Sequence, residues 1–414
     1  MMSDSITIST GQEGSALQQI KSYGSRLKSG EMGVLPAVGA LLILVALFSA
    51  LSPYFMTTIN IANLFTQAAT LAMLAAALVF VLMLGEIDLS AGVTAGTGMA
   101  LFVKLNSVDG WPWLISFAFA FVVAIAVGSF LGFFVAKVGV PSFVMSLAVY
   151  LALPGVMLLI LGDGGLLRLE VPEIKAIMNT NLPLWAGWLF LAICIALTFV
   201  MGLWDRSRRL RANLPVRPIS LLLAKVGIFG VIGAAGVYFL NLQRSLLPTN
   251  PIQGVPTVIP IVAVILFIGT FVLDRTRFGR HMYAVGGNPE AARRAGIKVD
   301  KIRIIAFITC SFLAMISGVF NVSRIGNVES SAGRAIVLSG VAAAVVGGVS
   351  LFGGRGRLAH AAIGALVIAV IDNGLGLLGL PAGIAFIITG SVLLIAATAD
   401  ALARKRSGGP LVRT

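Results

Sequence analysis

The sequence predicts an all-α polytopic membrane protein with about 10–12 transmembrane helices, and three observations carry that expectation. First, 58% of the residues are apolar and only 11% are charged, with a mean hydropathy of +1.00. A soluble domain carries about 25% charge. Second, several uninterrupted apolar runs reach about 20 residues, enough for a helix to cross a hydrocarbon core of about 30 Å. Barrel strands would be shorter and would alternate. Third, the net charge of +14 is gathered in the segments between the runs. That is the pattern of cytoplasmic loops, so the basic balance points to a bilayer and to no nucleic acid.

Residues 1–30 are rich in Ser, Gly and Gln, with Lys21, Arg26 and Lys28 near their end, and read as a disordered cytoplasmic tail. They are too long and too polar to open a secretory signal. The membrane domain is expected over 31–403, and 404–414, with Arg404, Lys405 and Arg406, reads as a basic cytoplasmic tail. The first apolar run, 34–51, ends at Ser52-Pro53. The second, 61–84, leads into Gly85-Glu86-Ile87-Asp88-Leu89-Ser90-Ala91-Gly92. A carboxylate at mid-bilayer costs about 2.5–3.5 kcal/mol, so Asp88 and Ser90 need partners. Two readings stay open: a helix break near the cytoplasmic surface in which Asp88 or Ser90 caps the next helix, or Asp88 lining a translocation path.

The third run, 91–103, is short and rich in small residues that suit close helix packing in lipid. Trp111 and Trp113 mark a membrane interface before the fourth run, 113–136. Pro141-Ser142-Phe143 opens the fifth, to Leu161, and 162–183 reads as a polar outer loop. The sixth run, 184–204, meets Arg206, Arg208, Arg209, Arg211 and Arg217. The seventh and eighth cover 219–240 and 256–273, and the ninth 304–322. The tenth, 337–351, is short and leads to Gly353-Gly354-Arg355-Gly356-Arg357; no Lys-Ser or Lys-Thr follows, so it is not a phosphate loop. The last two cover 360–378 and 383–399, and Asp372-Asn373-Gly374 lies inside the first of them. Asp372 and Asn373 fit an internal hydrogen-bond network as well as a substrate contact. Twelve crossings would put both basic termini and all the basic loops on the cytoplasmic side. Cys194 and Cys310 sit in apolar runs as small buried side chains. His281 and His360 are too far apart and too few for a metal site, and no cofactor is expected.

The longest polar interval, 274–303, contains a short predicted helix, Pro289 to Ala295. Asn288 can cap it, Pro289 suits its first position, and Glu290 complements its dipole. Glu290 and Arg294 stand four apart in the favourable order, and Gly296 can end the helix in the left-handed conformation. Ala291, Ala292 and Ala295 give it a face of methyl groups, so it reads either as a capped surface helix or as a knob that docks in a partner's groove.

These residues resemble a known family. Phe278-Gly279-Arg280, Gly286-Gly287-Asn288, Glu290-Ala291-Ala292 and Gly296-Ile297 are similar to the Glu-Ala-Ala coupling loop of bacterial ABC-type monosaccharide importer permeases of the ribose, galactose, arabinose and xylose type. Gly85-Glu86-Ile87-Asp88-Leu89-Ser90 resembles their Gly-Gly-Ile-Asp-Leu-Ser signature, with Glu86 in place of the second Gly, and 347–354 resembles their Gly-Gly-Thr-Ser-Leu-Ala-Gly-Gly. Val337 and Ser339 stand where the family usually carries Glu and Asp. Pro141-Ser142-Phe143 and the extra basic segment with its apolar run resemble the xylose branch. The resemblance implies the ABC importer permease fold and a transport subunit that is no enzyme, pairing as a homodimer. It implies two ATP-binding cassette ATPase subunits, a periplasmic sugar-binding protein and an inner-membrane location. It assigns ATPase coupling to Gly279, Gly287, Asn288, Glu290, Ala291, Ala292, Arg294 and Gly296, and makes Asp88, Ser90, Asp372 and Asn373 candidates for the pathway. D-Xylose is the expected cargo. The alternatives are a branched-chain amino-acid ABC permease and an ion-coupled secondary sugar transporter, which would need ionisable residues buried mid-span.

Overall fold

The computed structural model describes residues 34–162, 165–214, 216, 218–245 and 251–406, with the side chains of 382 and 403–406 excepted. The expected tail at 1–30, residues 407–414 of the tail expected at 404–414, and Arg217 lie outside the described residues, whereas the backbone of 404–406 continues the last helix. In chain order the helices are α1 (Leu35–Leu51), α2 (Thr58–Leu82), α3 (Ala91–Val103), α4 (Trp113–Phe133), α5 (Ser142–Leu161), α6 (Pro172–Asn179), α7 (Leu184–Arg211), α8 (Ile219–Asn241) and α9 (Val258–Arg275). They continue with α10 (Arg277–Gly287), α11 (Pro289–Arg294), α12 (Val299–Ile325), α13 (Arg334–Val346), α14 (Leu358–Leu377) and α15 (Ala382–Arg406). Two strands, β1 (Leu166–Arg168) and β2 (Asn327–Glu329), form one antiparallel ribbon. Among the described residues nine helices are long and apolar enough to cross a membrane, and α1, α3 and α13 are shorter. The expected architecture is therefore present, including the two short segments at α3 and α13.

The chain forms two compact units. In the larger, Gly33–Thr180 with Pro256–Leu402, α2 is the central helix. Its stretch Met73–Met83 is buried throughout, and α12, α13 and α14 pack around it. The sequence explains the choice: α2 carries no charge, and Ala75, Ala76 and Ala77 let neighbouring helices come close. The polar links of this unit sort by side. Met83 with Gly354, Glu86 with Arg303, Lys137 with Asp300 and Ser350 with Asp400 join one set of helix ends. The β1–β2 ribbon, Ser323 with Met178, Thr180 with Thr257, and Asn60 with Asn373 join the other. That is the sorting an alternating up-and-down path requires.

The second unit includes Asn181–Val255, an antiparallel hairpin of α7 and α8. Gly202 faces Leu222, Gly230 faces Ile195 and Gly233 faces Leu191, which sets its register. Asn213 takes the left-handed conformation (φ 54°), which Asn tolerates, after α7 ends. The buried Arg244 donates to the Leu240 and Gly254 carbonyls, at 2.8 and 2.9 Å, and so satisfies the C-terminal end of α8. Both helices of the hairpin are long and apolar enough to cross a membrane, and an even number of them leaves the alternation of the other helices unchanged.

Three local expectations differ. The supposed polar loop at 162–183 contains β1 and α6, because Ile174 and Met178 bury one face of a short helix that the surrounding polar residues mask. The interval 274–303 holds two helices. Thr276 caps the first by accepting from the Gly279 N–H at 3.3 Å, and three glycines had disguised it. Finally, α12 starts at Val299, five residues ahead of the apolar run, because Asp300, Lys301 and Arg303 interrupt the apolar pattern there while Val299 and Ile302 are buried.

Candidate functional site

The break between α2 and α3 is made by one glycine and one carboxylate. Gly85 has φ +76°, a conformation that other residues adopt only at a cost. Asp88 Oδ1 accepts from the Ser90 N–H at 2.9 Å and from the Ser90 hydroxyl at 2.6 Å. This is a side-chain turn, and Ser90 at the cap position makes no side-chain bond into α3. Both residues are fully buried. Asp88 Oδ2 has no hydrogen-bond partner among the described residues, and the Cys310 thiol of α12 lies close to the carboxylate. The break is held from α5: the Ile87 N–H donates to Ser142 Oγ at 3.1 Å, and Ser146 Oγ donates to the Ile87 carbonyl at 3.1 Å. Ser142 was legible as part of the Pro-Ser-Phe step; Ser146, one turn further on, carried no signal of its own.

Glu86 gives the break its charge and has an answer in α12. Arg303 Nε lies 3.1 Å from Glu86 Oε1, an ion pair whose N–H is not aligned as a hydrogen bond. With side chains 12% and 25% exposed, the pair is only partly screened by water. Replacing either partner alone, Glu86→Gln or Arg303→Gln, is expected to lower the thermal midpoint, and the double variant to recover part of the loss. A coupling of about 1 kcal/mol is expected from that double-mutant cycle; strict additivity would show that the pair contributes nothing.

The α10–α11 pair grows from local sequence. Asn288 Oδ1 accepts from the Ala291 N–H at 2.9 Å, Pro289 opens α11, and Gly296 ends it at φ +83°. These local features are as expected. Glu290, however, pairs with Arg293 at 3.1 Å, not with Arg294, because Arg293 also leans toward Asp300, 3.7 Å away. Asp300 in turn binds Lys137 at 3.0 Å, which ties α11 and the first turn of α12 to the helical turn Phe134–Val138 that continues α4. The methyl face is divided: Ala291 and Ala295 are exposed, whereas Ala292 is 4% exposed and packs inward. On α10, Met282 and Val285 are buried, and the Tyr283 hydroxyl donates to the Gly356 carbonyl at 2.9 Å. Burial, with help from the Asp274 carboxylate, raises the Tyr283 phenol and keeps it an O–H donor.

Three motifs that are far apart in sequence meet here. The Gly354 N–H donates to the Met83 carbonyl at 2.8 Å. A Cβ on Gly286 would run into that same carbonyl and come within 2.8 Å of the Gly354 nitrogen. A Cβ on Gly353 would come within 2.8 Å of the Gly85 nitrogen and 2.9 Å of the Gly286 carbonyl. The end of α2, the end of α10 and the turn before α14 thus touch backbone to backbone. Gly279 makes a similar close approach to the Leu273 carbonyl, while a Cβ on Gly287 would meet open space.

Asp372 and Asn373 do not join this cluster. Asn373 exchanges two hydrogen bonds of 2.9 Å with Asn60, and Asp372 beside it is exposed. Asn60 lies near the start of α2 and Asp88 beyond its end, so the two groups are separated by about 33 Å of helix. Between them a cleft of about 20 Å³, large enough for one water, is lined by Gly92, Gly96, Ser317, Asn321 and Gly333 among others. Among the described residues no group of three or more metal-ligating side chains occurs.

A family model described as the permease component of a branched-chain amino acid transport system matches residues 60–397. The chain belongs to that family. Among curated relatives, this permease is 31% identical to the xylose transport system permease protein of Escherichia coli strain K12 over 385 residues, 92% of this chain and 95% of the relative. It is 33% identical to the protein of the same description from Haemophilus influenzae, over 92% of this chain and 99% of the relative. The ribose import permease protein of Escherichia coli strain K12 follows at 29% identity, with 87% and 91% covered. No solved structure matches. The resemblance read from the coupling-loop and Ile-Asp-Leu-Ser motifs is thereby confirmed across most of the chain. Arg303, Lys137, Asp300, Tyr283 and Asn60 are the permease residues that the motifs did not reveal, since each acts through a partner distant in sequence.

Proposed function

We propose that the chain is the transmembrane subunit of an ATP-driven importer and forms the pathway for a monosaccharide, D-xylose or a similar aldose. Its partners in this reading are two ATP-binding cassette ATPase subunits, a second copy of the chain and a periplasmic sugar-binding protein. The location is the bacterial inner membrane, with both termini cytoplasmic. The likeness to xylose and ribose permeases supports the cargo. The observation that carries the mechanism is the glycine junction, where α10 touches the end of α2 through the backbone with no flexible side chain between. A pull on the exposed face of α11, when the ATPases close on ATP, would pass through α10 to the Asp88 break.

Asp88 and Ser90 are shut away in the conformation described. Opening of the break would bring their oxygens to a neutral sugar, and Asp372 would serve the far end of the path. The family's description as a branched-chain amino acid permease component favours a branched-chain amino acid as the second reading. Vesicles holding the chain with its ATPase and binding protein should take up labelled xylose on ATP. Uptake of leucine instead would support the second reading, and uptake driven by an ion gradient alone would remove both.

The coupling surface has its own test. Ala292 is buried, so enlarging it reports on packing; Ala291 and Ala295 are the exposed positions. Ala291→Arg is expected to weaken ATPase association about tenfold or more, roughly 1.4 kcal/mol, with the thermal midpoint of the isolated chain unchanged. Undiminished association would remove α11 as the docking element.

A further inference from the structure

We infer that the inner turn of the α7–α8 hairpin is a binding site for anionic phospholipid headgroups. Arg208, Arg209 and Arg211 are all exposed in the last turn of α7, and Asp205, ahead of that turn, is the one acidic residue between Asn181 and Val255. Six residues into α8, among Leu221, Leu222, Leu223 and Phe229, stands Lys225, also exposed. That places its ammonium group about 9 Å along an apolar helix, where a lone cation is costly unless it reaches a headgroup or an anion.

The register of the hairpin relates these charges. Gly202 opposite Leu222 and Ile195 opposite Gly230 put Lys225 level with residues 199–200, about 13 Å from Arg208 along the axis. Trp204 lies between these levels, 48% exposed, with the Arg208 guanidinium 5.5 Å over its ring. An aromatic at headgroup depth, cations above it and one cation below make a site with two depths. A phosphodiester with its own negative charge fits between them, and acyl chains can lie along the exposed Leu203, Leu223 and Val231. The zwitterionic headgroup of phosphatidylcholine offers no net charge to four cations.

The test uses Trp204 as the reporter in the full chain, with Trp111, Trp113, Trp185 and Trp188 changed to Phe, in nanodiscs of phosphatidylcholine. Brominated phosphatidylglycerol should quench Trp204 at mole fractions roughly fivefold or more below those of brominated phosphatidylcholine, since one basic residue near an anionic surface is worth about that factor. Arg208→Gln with Arg209→Gln, Arg211→Gln and Lys225→Gln should bring the ratio close to one. Replacing the three arginines by Lys, which keeps the charge, should retain most of it, and salt should weaken it. Equal quenching by the two lipids would overturn the inference. So would a preference that survives the Gln set, or exclusion of both lipids because a second copy covers the hairpin.

Discussion

Gly286→Val is expected to abolish uptake and to lower the stability of the isolated chain by about 3 kcal/mol. The reason is geometric. The first carbon of any side chain at 286 meets the Met83 carbonyl and approaches the Gly354 nitrogen, and both neighbours are backbone already bonded to each other. A flexible side chain could turn away; these groups cannot move without shifting α2 or the turn before α14. Gly287, one residue on, faces open space, so Gly287→Ala should be tolerated for stability. Thermal midpoints of both variants in detergent, alongside uptake in vesicles, check the pair. If Gly286→Val melted with the parent protein, the close approach at this junction would be wrong.

Asp88→Ala is expected to be nearly as severe, and Asp88→Asn much milder in stability. One carboxylate oxygen satisfies two buried donors, the Ser90 N–H and hydroxyl. Alanine strands both, at about 1–3 kcal/mol for each buried unsatisfied group, and leaves a small cavity as well. Asparagine keeps the acceptor oxygen for both donors and leaves no cavity, and its cost is limited to its own amide N–H groups, placed where Oδ2 has no hydrogen-bond partner among the described residues. Stability and uptake read together separate the two roles left open by the sequence. If Asp88→Asn is stable and transports, Asp88 builds the break. Were it stable but dead in uptake, the negative charge would act in the pathway. Equal destabilisation by Asn and Ala would contradict the hydrogen-bond arrangement.

What could be read along the chain depended on local physics. Apolar runs, caps and left-handed glycines are properties of neighbouring residues, so the long apolar helices, the Asn288 cap and the Gly296 stop were all visible in advance. The Glu290 partner was misjudged because helix spacing alone cannot weigh Asp300, which lies beyond the helix and draws Arg293 instead. Helix α10 was missed for a related reason. Its glycines weaken the helical signal, and the close contacts that require them belong to other segments.

By itself the sequence determined that this protein lives in a bilayer and belongs among transport permeases, because hydropathy and motif chemistry are written residue by residue. Only the tertiary structure decided that Gly85, Gly286 and Gly353 are three sides of one junction. It also showed that Glu86 is answered by Arg303 and that Asp372 lies a helix length away from Asp88. Such facts depend on which backbones approach each other in space, and glycine records only that something must come close, never what.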